Sequence, residues 1–513
     1  MDKIKESDRK TAFAANGLEG GINELIERTQ QLYLEDQIPW VIGYSGGKDS
    51  TAIVQLVWTA ISELPDDKRQ KPVHIISTDT LVENPVVALW VEQSLIAMQQ
   101  AITKSGMPFH AHRLTPAVQD RFWVNLIGRG YPTPRPKFRW CTSRLKISPS
   151  TRFITEVVQQ NGEAILVLGT RKAESTARHA NMKRNEKSTR QYLNKNSDAS
   201  MDRVWVYTPI ADWSNDDVWE YLVTVPNPWG YDNSNLLGMY QGATKDNECP
   251  LVVDSSTPSC GDSRFGCYVC TMVDQDKSMA AMIQNDDEKQ WMKPLLDFRN
   301  KWLSTNDREH RDFRRMSGAL TVYRDRLVHG PYKQEFREEL LRQILITQEA
   351  VSRMAPPEIK DFKLLTIEDL EEIRRIWVME KHEIEDTLPD IYEASTSRSY
   401  PVQNLDENQI FKPDDMALLK EVCSELGDEE GIHYQLAREL LHLEQQHRTM
   451  VRRKGLYDTI DKALERGAFD NAKEAEEFAV KRDQALKAIR DDGPPEATSI
   501  LVELNMEATS NAV

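Results

Sequence analysis

An open parallel α/β sheet followed by a mainly helical region is the fold the sequence predicts, and three observations carry that reading. Short β-branched runs alternate with amphipathic helical stretches through the first half of the 513 residues. Residues 38–51 pass from a strand through a glycine turn into a helix, and the strand pattern stops beyond Ser278. The length suits two to four domains at about 100 to 200 residues each.

The predicted strands are Pro39 to Tyr44, Val73 to Thr78, Phe109 to Leu114, Ala164 to Gly169 and Val204 to Thr208. Between the first two, Ile53, Leu56, Val57, Ala60, Ile61 and Leu64 recur at helical spacing. Ser214 followed by Asp217 reads as a capping box that opens a helix. Beyond Ser278, charged segments with helical period run over Glu335 to Met354, Ile367 to His382 and Gly431 to Leu456, with breaks at Pro356-Pro357 and near Pro401. The expected organisation is an α/β domain at 1–275 that includes the cysteine stretch 249–270, a helical region at 276–492 and a loose tail at 493–513.

Hydrophobic residues at 40% and charged residues at 28% exclude wholesale disorder. The N-terminal ten residues are charged, and no run approaches the length of a membrane span, so a cytoplasmic protein without a membrane partner is expected. In a reducing compartment the six cysteines are not a disulfide framework.

The most informative segment is Ser45-Gly-Gly-Lys-Asp-Ser50 between a strand and a helix. Such a turn aims backbone N–H groups at one point. The positive end of the helix dipole adds to them, and the glycines admit phosphate oxygens close to the chain. Ser45 and Ser50 add hydroxyls and Lys48 a positive charge. Ile42 and Asp49 exclude a Walker A loop, which needs Gly and Ser or Thr at those places. Asp79 ends the second strand, where it can hold Mg²⁺ or nucleotide or serve only as a turn residue. Gly169 and Arg171 end the fourth strand, with Arg171 suited to offset phosphate charge or to make a surface ion pair.

Cys249, Cys260, Cys267 and Cys270 have the spacing C-x10-C-x6-C-x2-C. Four thiolates suit Zn²⁺ or an iron–sulfur cluster. One C-x2-C pair with two single cysteines favours [4Fe–4S] over a zinc ribbon, which pairs two such knuckles, and zinc stays open. Cys141 has Lys137, Arg139, Arg144 and Lys146 within five residues, which favours the thiolate. It is a sulfur-carrying nucleophile, a cluster ligand in place of Cys249, or a buried small residue.

Ser45-Gly-Gly-Lys-Asp-Ser50, Trp140-Cys-Thr-Ser-Arg-Leu-Lys146, Gly169-Thr-Arg-Lys-Ala-Glu-Ser175 and Asp217-Val-Trp219 together resemble the phosphoadenosine phosphosulfate reductase superfamily of PP-loop ATP pyrophosphatases. With the segment Cys249 to Thr271 they resemble the DndC family of DNA phosphorothioation. The resemblance covers most of the first 280 residues and implies an adenine nucleotide alpha hydrolase-like sheet. It also implies ATP, Mg²⁺ and a [4Fe–4S] cluster, with a cysteine desulfurase as sulfur donor, DNA as substrate and other phosphorothioation proteins as partners. On that reading Ser45, Gly46, Gly47, Asp49 and Ser50 bind phosphates, Lys48 and Arg171 offset charge, Asp79 and Gly169 line the nucleotide, and Cys141 relays sulfur. Reductases use a cysteine near the C-terminus, yet the last 90 residues here hold none. The competing readings are another PP-loop enzyme, either a sulfonucleotide reductase or a tRNA thiolase, and a nucleotide-sensing DNA-binding subunit.

A net charge of -16 argues against nucleic acid as a partner, but its distribution argues the other way. From Arg121 to Arg152 there are eight basic residues and no acid, and from Arg171 to Arg203 nine basic and four acidic. Tyr131, Phe138 and Trp140 are expected to add stacking surface beside a basic mouth.

Overall fold

The computed structural model describes residues 11–174, 180, 190–196, 198, 201–243, 265–359, 362–402, 413–448, 453 and 455–492. The chain divides into two compact units. One comprises Met1–Phe122, Arg135–Asn300 and Met354–Asp361, and the other Trp123–Pro134, Lys301–Arg353 and Phe362–Val513.

The first unit is built on a six-stranded sheet of β1 (Trp40–Gly43), β2 (Val73–Thr78), β3 (Phe109–Leu114), β4 (Ala164–Val167), β5 (Asn194–Lys195) and β6 (Val204–Tyr207). The order is β3-β2-β1-β4-β6-β5, parallel throughout except for the short edge strand β5. All five predicted strands are present within a residue or two at each end; β5, with only two residues, carries no periodic signal. Trp40, Val41 and Ile42 are fully buried, as a central parallel strand covered on both faces requires.

The helices are α1 (Gly17–Leu34), α2 (Lys48–Ser62), α3 (Pro85–Ser105), α4 (Ser148–Asn161), α5 (Asn215–Thr224), α6 (Asn233–Gly242), α7 (Lys277–Asn285) and α8 (Lys293–Trp302). Helix α2 is buried nearly all round, from Ser50 to Ala60 and Ile61, so its start is held firmly under the end of β1. Helix α3 starts on an Asn84 cap that accepts from the Val86 N–H, has Pro85 in its first turn, and stops at left-handed Gly106. The capping box read at Ser214 and Asp217 opens α5. On one sheet face Val41, Ile76, Ala164 and Val204 pack with Ile154 and Val157 of α4.

The second unit is mainly helical, with α9 (Gln334–Met354), α10 (Ile367–Arg375), α11 (Leu388–Thr396), α12 (Pro413–Glu425), α13 (Ile432–His447), α14 (Leu456–Arg466) and α15 (Ala472–Asp492). Two predicted helices are shorter than expected. Beyond Arg375 the chain turns in a wider π coil over Ile376–Glu380, then takes a left-handed step at His382. The segment Gly431 to Leu456 contains the starts of two helices, α13 after left-handed Gly431 and α14 after left-handed Gly455. Three Arg–carboxylate pairs are largely buried here: Arg337 with Glu383, Arg374 with Asp386 at 2.6 Å, and Arg438 with Glu385 at 2.9 Å. The expected tail at 493–513 lies outside the described residues.

Candidate active site at the sheet switch point

Strand order reverses between β1 and β4, so the loops after these strands diverge and leave a crevice at their carboxyl ends. The loop after β1 is Tyr44 to Gly47, and α2 begins at Lys48 with Gly47 as its cap. Gly46 adopts φ +73°, and a Cβ there would stand 2.4 Å from Val91 Cγ2. Its carbonyl accepts a bond from Trp90 Nε1 at 3.0 Å, so α3 clamps the turn. Ser45 and Ser50 face each other, hydroxyl to hydroxyl at 3.1 Å, and Ser50 Oγ also accepts the Ser45 N–H and donates to Gly47 O. The first turn of α2 thus points its backbone donors into the crevice.

From β4 comes the second half. A Cβ on Gly169 would lie 2.7 Å from the carbonyl oxygen of Asp49, so only glycine permits this approach of β4 to α2. Arg171, 4% exposed, donates from Nε to Asp49 Oδ1 at 2.6 Å and from Nη1 to the Trp213 carbonyl at 3.4 Å. Arg171 is therefore a buried cation paired with a partly exposed Asp49, not a surface arginine in a surface ion pair. Lys48 Nζ lies 3.4 Å from the other oxygen of Asp49 and 5.6 Å from the ring centre of Tyr240. Asp49 is therefore held between two cations. Tyr240, from α6, also accepts the Lys48 N–H at 3.5 Å and packs edge-on to Trp219 and Phe265.

Asp79 ends β2 as a turn residue and more. Its Oδ1 accepts the Leu81 N–H at 2.8 Å, while Oδ2 accepts from Arg113 Nη2 at 2.5 Å and Nε at 3.1 Å. The same loop seats the cysteine knuckle. Glu83 bridges to Cys267, the Tyr268 N–H donates to Val82 O at 3.0 Å, and the Thr80 hydroxyl lies 3.5 Å from Cys267 Sγ. The Cys270 N–H closes on Cys267 O at 3.0 Å, and Arg299 of α8 binds the Cys270 carbonyl at 2.8 Å. That tight, externally braced turn suits two adjacent metal ligands. Cys249 and Cys260 lie outside the described residues, and among the described ones no group of three or more His, Cys, Asp or Glu forms a metal-binding cluster.

Cys141 is brought to this knuckle. It interacts electrostatically with Cys270, and Lys146 interacts with Cys141, Cys267 and Glu83, the last at 3.5 Å. The expectation of a favoured thiolate is corrected: burial pushes the Cys141 thiol up, and the Lys146 charge is directed at Glu83. Cys267 is pushed up to about 12 by burial and by Glu83. A second correction concerns Trp140, which is 6% exposed and stacks on Phe122 at 5.2 Å. It is core, not stacking surface, whereas Phe138 is 41% exposed between exposed Lys137 and Arg139. Within the basic stretch, Arg144 pairs with Asp120 and Arg129 with Glu380. Much of the second stretch, including 181–189, lies outside the described residues.

Trp90, Tyr240, Arg113 and Glu83 are site residues that sequence reasoning missed. None belongs to a motif, and each reaches the site from an element whose place is set only by packing.

Residues 39–228 match the phosphoadenosine phosphosulfate reductase domain, and residues 414–465 match a small protein found in certain Dnd DNA modification systems. The chain is 27% identical over 191 residues to an uncharacterized protein of Methanocaldococcus jannaschii, covering 37% of this chain and 32% of the relative, so it spans about a third of that relative's length. The crystal structure of a phosphoadenylyl-sulfate reductase from Candida auris in complex with phosphate covers 42% of this chain and 91% of its own at 14% identity and a TM-score of 0.25. The chain thus carries a domain of the PP-loop superfamily and a segment associated with Dnd systems. No helix among the described residues is long and apolar enough to cross a membrane.

Proposed function

We propose that this protein is an ATP pyrophosphatase and sulfurtransferase that installs sulfur on the DNA backbone. The observation that carries the reading is Asp49, at the start of α2, held by buried Arg171 across the switch-point crevice. A polyphosphate entering there meets the N–H groups of the turn, the Ser45 and Ser50 hydroxyls and two cations that already converge. Asp79 and Mg²⁺ would help to position ATP.

A non-bridging oxygen of a DNA phosphodiester attacks the α-phosphorus of ATP. The bond to the bridging oxygen breaks and pyrophosphate leaves. The DNA phosphorus then carries AMP as a leaving group. The terminal sulfur of a persulfide on Cys141, charged by a cysteine desulfurase, attacks that phosphorus and AMP departs with its oxygen. A free thiol such as cysteine then attacks the Cys141 sulfur, forming a disulfide with it and releasing the transferred sulfur on phosphorus as the phosphorothioate. Cys249, Cys260, Cys267 and Cys270 would hold a [4Fe–4S] cluster, which supplies redox or sulfur-handling chemistry beside Cys141.

The test is anaerobic turnover with ATP, DNA, a cysteine desulfurase and cysteine, followed by nuclease digestion and mass spectrometry. DNA-stimulated release of AMP and pyrophosphate with phosphorothioate dinucleotides is expected, and Asp49→Ala should abolish both. Thiolated tRNA bases without such dinucleotides would overturn the assignment. The match to a reductase domain favours a second reading, sulfonucleotide reduction. Sulfite formed from phosphoadenosine phosphosulfate with a thiol reductant would establish it.

A further inference from the structure

Helix α12 in the second unit buries one side only. Met416, Leu419 and Cys423 turn inward against Ile384 and Tyr434. On another side Leu418, Val422 and Leu426, four residues apart, are 61%, 43% and 83% exposed. Single exposed apolar side chains are ordinary, but Leu418 and Val422 on α12, with Leu426 just past its end and its N–H still bonded to the Val422 carbonyl at 3.1 Å, form a continuous apolar ridge at helical spacing. Asp414, Glu421, Glu425, Glu429 and Glu430 around it are exposed, and among the described residues 413–430 the exposed base is Lys420. The ridge lies within the segment that matches a small protein of Dnd systems.

We infer that this ridge is a docking surface for a cationic amphipathic helix presented by another protein of the DNA modification system. The acidic border selects the occupant. Residues 493–513 of this chain carry three acids and no base, so they would meet like charge. A second copy would lay one acidic border on another. A helix with an apolar stripe and flanking Lys or Arg meets both features at once. This inference rests on the second unit and not on the nucleotide chemistry.

The experiment measures binding of the full chain to each other protein of the system, purified separately, by calorimetry. Leu418→Glu with Leu426→Glu should weaken one partner by about tenfold or more while leaving the melting temperature unchanged, since both side chains already face water. Glu421→Lys with Glu425→Lys should weaken the same partner, and that loss should shrink in ~0.5 M salt. Affinities within about twofold of wild type for every partner would overturn the inference. So would a wild-type dimer that the leucine variant makes monomeric, or tighter partner binding after deletion of 493–513. Asp49→Ala should bind normally, which separates this outcome from failure of the chemistry.

Discussion

At the residue scale the decisive contact is the Arg171–Asp49 pair. Removing Asp49 leaves a guanidinium buried without its carboxylate, a cost of about 1 to 3 kcal/mol given that Asp49 is partly exposed. Asp49→Ala should therefore lower the melting temperature as well as end pyrophosphate release. Lys172→Ala removes a partly exposed lysine that pairs with exposed Asp212 and should change stability by less than about 0.5 kcal/mol. Thermal unfolding of the two variants beside wild type checks the ranking. The neighbouring glycines separate in the same way. Gly46→Ala forces a side chain into a left-handed turn against Val91 and should cost about 1 to 3 kcal/mol, whereas Gly47 has ordinary φ and a nearest neighbour at 3.4 Å, so Gly47→Ala should be far milder. The glycines, Lys48, Asp49 and Arg171 were legible because one contiguous motif and one strand end carry them. Their partnership was not, since nothing in sequence says that residues 122 apart share a hydrogen bond. Trp140 shows the opposite failure: an aromatic among cations reads as an exposed platform, but Phe122 covers it.

At the element scale, alternation placed the sheet because parallel strands buried on both faces must be apolar and β-branched. Helix ends were less legible where a residue other than proline stops the helix, as at the π turn after Arg375. One feature of β2 and β3 is titratable. His74, His110 and His112 cluster on one sheet face against Phe153, with His74 Nδ1 3.1 Å from His112 Nε2. Burial, then the neighbouring histidines, push His74 down to about 4, and burial pushes His112 down too. The unfolded chain therefore binds more protons than the native one between about pH 6.5 and 4. The contribution to stability is full above pH 6.5 and lost as pH falls through that window. His382 in the second unit has the same sign, so the comparison must be internal. Denaturant midpoints measured from pH 7 to 4.5 should fall less steeply in His74→Phe than in wild type, and equal slopes would show that the cluster does not titrate in this range.

At the scale of the whole molecule, -16 describes an acidic chain, and on the proposed function any grip on DNA must come from a few local charges. Several cations of the Arg121 to Arg152 stretch are occupied by carboxylates that stand far away or outside it in sequence, Arg144 by Asp120, Arg129 by Glu380 and Lys146 by Glu83. The stretch is therefore less basic than its count, a correction no window of composition can make. Lys137 and Arg139 are exposed on either side of exposed Phe138, in the turn where Arg135 and Phe138 bridge, only a few residues before Cys141. A strand held there has its backbone beside two cations and a base against an aromatic face. Lys137→Ala with Arg139→Ala should weaken DNA binding and lower the slope of log affinity against log salt by about 1.4 to 1.8, as two lost phosphate contacts require. Phe138→Ala should weaken single-stranded DNA by about 1 to 3 kcal/mol and leave the salt slope unchanged. Fluorescence anisotropy over a salt series reads both quantities from one titration. If the double charge variant keeps the wild-type slope, DNA enters elsewhere; if Phe138→Ala changes the slope instead of the intercept, the turn contributes through its fold and not through stacking.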